Sequence, residues 1–66
     1  MTSGTVTEFD DDAGLGTITA DDGTMYDFHC TAIADGTRTI APGTSVEFET
    51  RPARHGGWEA AAIARR

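Results

Sequence analysis

Sixty-six residues leave room for one small domain, and a chain of this size buries only about 60% of the surface it exposes when unfolded, so its core has little reserve. The single cysteine, Cys30, excludes an internal disulfide, and neither a second Cys nor a cluster of His offers a structural zinc site. The net charge of −6 is uneven: residues 1–35 carry −8 with no Lys or Arg, residues 36–66 carry +2, and lysine is absent throughout, which excludes a broadly basic surface and leaves only a local arginine patch to meet a polyanion.

In chain order, Met1-Thr2-Ser3-Gly4 lacks the basic start and apolar stretch of a signal peptide, and nowhere do 18 apolar residues run together. The expectation is a soluble, cytoplasmic protein without a membrane partner. A first strand is predicted at 4–10. Within it Val6 and Phe9 are three apart and share a face only through a bulge or strong curvature, which a small barrel requires. After the Asp12-Ala13-Gly14 turn, a strand at 15–20 points Ile18 inward and Leu15 and Thr17 outward. Asp22-Gly23 closes a hairpin into a strand at 25–30, with Tyr26, Phe28 and Cys30 on the core side and Met25, Asp27 and His29 on the other.

Residues 31–33 read as a short helical turn anchored by Ile33. A loop bracketed by Asp35-Gly36 and Pro42-Gly43 leads to a strand at 44–50 that buries Val46 and Phe48. The last segment, WEAAAIA at 58–64, has helical propensity. Seven residues after Gly56-Gly57 make a marginal helix, however, and a closing strand would cover an open edge, so strand is preferred. Five short antiparallel strands in one all-β domain spanning 1–66 define a compact barrel or rolled sheet, of which the OB-fold is the commonest small form.

Several chemistries find no support. Gly14-Leu15-Gly16 lacks the third glycine, following helix and βαβ unit of a dinucleotide site. Asp10-Asp11-Asp12 and Asp21-Asp22 do not have the spacing of a calcium loop, and adjacent carboxylates in turns are normally solvated. Cys30 and His29, as strand neighbours, should face opposite ways and form no catalytic pair. No enzyme, metal or cofactor is expected.

The ordered set G-x-V-x-x-F-D (Gly4 to Asp10), G-L-G-x-I (Gly14 to Ile18), D-D-G (Asp21 to Gly23), D-F-H-C-T-A-I (Asp27 to Ile33), P-G-T-S-V-E-F-E (Pro42 to Glu49) and G-W-E-A-A-A-I (Gly57 to Ile63) resembles the cold-shock domain family over nearly the whole chain. The resemblance implies a five-stranded antiparallel OB-fold barrel that binds single-stranded RNA or DNA. In that family a K-G-F-G-F-I strand and a V-F-V-H-F strand present outward rings to bases while basic residues follow the phosphates.

The departures fall on that face. Thr7-Glu8 replace the family's Lys-Trp, Ala13 its lysine, Leu15 and Thr17 two aromatics, Asp27 and Cys30 two more, and Thr37 the aromatic of the following loop. His29 is retained, with Phe9 beside it. The positions that would still meet nucleic acid are Phe9, Leu15, Thr17, His29, Arg38, Arg54, His55 and Trp58; Trp58, His55, Arg51, Arg54 and Arg38 could assemble a shifted site, with Trp58 stacking and the arginines meeting phosphate. With three or four rings lost at roughly 1–3 kcal/mol each, binding is expected to be weak.

Two alternatives stay open for each key ring. Trp58 either caps the barrel end or stacks on a base. His29 is either a ligand contact, whose binding would strengthen in acid, or a partner of Asp27 or Asp10. The whole domain is either a weakened nucleic-acid binder or a cold-shock-like barrel that has turned to a protein partner through its acidic face and the outward Leu15 and Met25.

Overall fold

A computed structural model describes residues 1–53 and 56–66. Five strands, β1 (Thr2–Asp10), β2 (Leu15–Ala20), β3 (Met25–His29), β4 (Ser45–Pro52) and β5 (Trp58–Arg65), close into a barrel in the order β1-β2-β3-β5-β4. One 3₁₀ turn, Cys30–Ala32, follows β3 where the short helical turn is predicted. Residues 58–65 form the closing strand rather than a helix.

Four of the five seams are antiparallel, and the seam between β3 and β5 is parallel. This corrects the all-antiparallel expectation, and the reason is parity. Going round a ring of five strands, direction can alternate across four seams but not the fifth. The parallel seam is also the thinnest, with one pair between the strands, Asp27 with Glu59, and an isolated bridge from Ile33 to Ile63 beyond them.

β1 serves two neighbours at once. Its first half pairs with β4 and the rest with β2, with Gly4 opposite both Val46 and Ala20. Between Val6 and Glu8 the register slips by one residue, leaving Thr7 as a bulge. That slip resolves the odd spacing in the sequence: Val6 is fully buried, and Phe9 still turns inward against the core. The interior is filled by Val6, Ile18, Phe28, Ile33, Val46, Phe48 and Ile63, as alternation predicts, together with Ile40, Ala20 and Ala60. Tyr26 closes one side of the core, its ring edge-on to Phe48 at 5.4 Å.

A second slip lies between β4 and β5, where Glu47 faces Ala64 but Glu49 faces Ala61. Ala60 lies in the core, Ala61 is covered but outside the core cluster, and Ala62 at the slip takes φ 49°. A left-handed alanine costs about 1–2 kcal/mol relative to glycine, part of which glycine's freedom in the unfolded chain takes back. Ala62→Gly should therefore stabilise the barrel by about 0.5–1 kcal/mol, raising Tm by about 2–8 °C in a thermal melt. An unchanged or lower Tm would show that the bulge is not strained.

The loop between the 3₁₀ turn and β4 is fastened from β5. The Arg65 guanidinium forms an ion pair with Asp35, donates to the Thr37 hydroxyl at 3.1 Å and donates to the Thr39 carbonyl at 2.8 Å. Ile40 plugs the same loop into the core. Hydrogen bonds from the Thr37 hydroxyl and amide, with the Arg65 charge beside them, hold the Asp35 carboxyl below its ordinary range. A carboxyl lowered in the folded state contributes stability above its unfolded pKa of about 4 and loses it as pH falls through the lowered value. Acidification below about pH 4 should thus release this loop, seen as loss of the Thr37 amide's distinct NMR shift. Asp35→Asn should lower Tm by a few degrees at neutral pH and flatten that acid response.

Candidate functional site

Strand register builds the exposed face of β1, β2 and β3 in three rows. One row runs Glu8, Thr17, Asp27 and, across the parallel seam, Glu59. A second runs Asp10, Leu15, His29. Between them lies the row Phe9, Gly16, Phe28, which has inward parity. Gly16 carries no side chain, and the rings of its two neighbours meet there, stacked with centroids 5.9 Å apart and 15° between planes. The result is an open cleft of about 740 Å³ with an aromatic floor.

The rim of this cleft is acidic. Glu8, Asp10, Asp27 and Glu59 line it, and among the described residues no arginine does. Thr17 donates its hydroxyl to Asp27 at 3.4 Å, so that side chain is engaged with its acidic neighbour across the strands. Leu15 stands 53% exposed at the opposite rim.

His29 is exposed, as alternation predicts, but it pairs with neither Asp27 nor Asp10. It caps the 3₁₀ turn instead: its Nδ1 accepts the Thr31 amide at 3.3 Å and lies 3.0 Å from the Thr31 hydroxyl. An N–H donated to Nδ1 makes that nitrogen the acceptor and puts the neutral ring's hydrogen on Nε2. Cys30 turns to the core and His29 to solvent, as expected, but β3 ends at His29. As the chain turns, the sulfur comes within 3.8 Å of Nδ1. Cys30 is nevertheless buried, with its sulfur packed against Gly14, and Nδ1 is committed to Thr31.

His29 and Glu59 also border a second groove, whose other wall includes Thr31 and Arg51. Thr31 in turn adjoins a smaller hollow beside Arg38. The predicted residues Phe9, Leu15, Thr17 and His29 are thus brought together in one cleft. Arg38 lies farther along the surface, past the 3₁₀ turn.

Trp58 is 59% exposed and does not cap the barrel end. It has the parity of buried Ala60 but lies beyond the end of the interior, opposite Pro52, and it does not line the cleft. Arg54 and His55 fall outside the described residues, so the shifted site expected from them is represented only by Arg38, Arg51 and Trp58. Among the described residues no group of three His, Cys, Asp or Glu could hold a metal ion. The clustered aspartates have local partners: Asp10 accepts the Asp12 and Ala13 amides at 3.0 and 3.3 Å, and Asp22 accepts the Thr24 amide at 2.9 Å.

Sequence reasoning missed Glu59 as a cleft residue, because only the β3–β5 seam brings it there. It also missed Arg65 as the fastener of the 35–39 loop. The spacing of Phe9 and Gly16 around the bulge was the available signal for the floor.

A closed five-strand barrel in this order, with one exposed sheet face carrying an aromatic cleft, is an OB-type binding barrel. Residues 2–65 match the family described as the "Cold-shock" DNA-binding domain, and the chain belongs to that family. No curated protein matches the chain.

Proposed function

We propose that this cold-shock domain holds single-stranded RNA or DNA weakly, resting bases on the Phe9 and His29 side of the cleft and leading phosphates toward Arg51 and Arg38. The observation that supports this path is the shared position of His29, which borders both the aromatic cleft and the groove beside Arg51. Its Nε2–H supplies a donor at the junction, and exposed Trp58 offers a second ring near Arg51, whose cross-strand partner is Glu59.

The weakness follows from magnitudes. One stacked base contributes about 1–3 kcal/mol. A phosphate about 6 Å from a carboxylate in water is opposed by about 0.7 kcal/mol, so a strand passing Glu8, Asp27 and Glu59 gives back about what one stacked base contributes. Two arginine contacts restore a modest attraction.

Anisotropy titration of a labelled oligo-pyrimidine should give a high-micromolar Kd with a shallow salt slope, about −1.4 in log K against log salt for two phosphate contacts. Arg51→Ala and Arg38→Ala should each remove about half of that slope. Quenching of Trp58, the chain's only tryptophan, would report a strand that reaches the end of β5. No binding at high protein concentration in low salt would overturn the reading.

A further inference from the structure

The geometry points to a second occupant for the cleft: an extended segment of another protein that carries an aromatic or leucine anchor flanked by arginine or lysine. Three observations carry this. The floor is apolar and aromatic, with the partly buried Phe9 ring stacked on the buried Phe28 beside Gly16, and Leu15 extends it outward. Among the described residues the acidic side chains Glu8, Asp10, Asp27 and Glu59 share the rim with no lysine or arginine. Across the parallel seam Asp27 sits opposite Glu59, a like-charge pairing that destabilises a sheet unless a cation lies over it.

Among the described residues none that lines the cleft is a lysine or arginine. Lysine is absent, and the one ion pair among the described residues is the distant Arg65–Asp35. Arg51 neighbours Glu59 across β4 and β5 without forming an ion pair. An extended peptide alternates its side chains at about 3.3 Å per residue, so an apolar anchor can sit on the floor while its basic neighbours reach the rim on either side. A cleft of about 740 Å³ has room for such an anchor and its flanks. Charge complementarity selects this occupant over any acidic or neutral one.

This occupant is independent of the nucleic-acid reading, and the two ligands would compete for the same floor. The test uses the full chain and a fluorescein-labelled peptide, Arg-Lys-Leu-Arg-Phe-Lys, read by anisotropy. Micromolar binding that weakens severalfold with added salt is expected. Glu8→Gln combined with Asp27→Asn should weaken it about tenfold, and Leu15→Ala, at an exposed position that leaves folding intact, should weaken it severalfold.

Equal binding by a control peptide with serine in both apolar places, or indifference to Leu15→Ala, would reduce the attraction to diffuse charge and overturn the proposal. Absence of peptide binding would overturn it as well. If an oligo-pyrimidine binds the cleft while the peptide neither binds nor displaces it, the cleft belongs to nucleic acid alone. Peptide binding without oligonucleotide binding would instead support the peptide and remove the single strand from this face.

Discussion

Gly16→Ala should destabilise the barrel by about 3 kcal/mol and lower Tm by more than about 10 °C. A Cβ at this position would lie 2.5 Å from Phe28 Cζ, 2.7 Å from its Cε1 and 2.8 Å from the Glu8 carbonyl oxygen. Phe28 is 2% exposed and stacked on Phe9, so its ring cannot withdraw without opening the core. The Glu8 carbonyl belongs to the strand paired with β2 and cannot withdraw either. Phe28→Leu in the same chain should recover only part of the loss, because it relieves the ring contact and leaves the carbonyl contact in place. Chemical denaturation of the two variants checks this, and a Gly16→Ala barrel as stable as the parent would mean that β1 and β2 separate freely there. The same methyl group would cover the cleft floor, so ligand affinity should fall along with stability.

The largest functional effect is expected from putting rings back. Leu15→Phe and Thr17→Phe, combined with Glu8→Lys, should tighten binding of an oligo-pyrimidine by at least about thirtyfold, since two added stacks contribute about 1–3 kcal/mol each. The two positions should not contribute equally. Leu15 is half-exposed and lies beside His29, where a ring can stand clear. Thr17 lies beside Asp27, whose carboxylate would face the new ring and oppose the approach of phosphate. Leu15→Phe alone should therefore gain more than Thr17→Phe alone, as measured by anisotropy. No gain from the combined variant would show that single strands do not lie on this face at all.

How much of the fold and the cleft was legible in the sequence depended on side-chain contrast. Strands with large apolar residues alternating against polar ones declared their faces, so Ile18 in β2, Phe28 in β3 and Val46 and Phe48 in β4 were placed correctly. Even the bulge in β1 was visible, because Val6 and Phe9 could not otherwise both face inward. In β5 the run Ala60-Ala61-Ala62 carries no such contrast, and its slip and left-handed residue could not be read from it. Ile40 was hidden for a different reason: it stands alone among polar loop residues, and long-range ties such as that of Arg65 bring the loop against the barrel. The acidic character of the cleft was half legible. Glu8 and Asp27 were recognisable as replacements on an otherwise familiar face, whereas Glu59 joins them only through the parallel closure.

That closure gives the barrel a hinge line. β3 and β5 are joined by far less ladder than any other adjacent pair, and the pair that joins them is two carboxylates, so partial opening should begin there, as a book opens opposite its spine. A ligand lying on the cleft touches both covers, Asp27 on one side and Glu59 on the other. Such a ligand would act as a clasp: besides occupying a surface, it would slow hydrogen exchange along β3 and β5 and hold the two leaves shut.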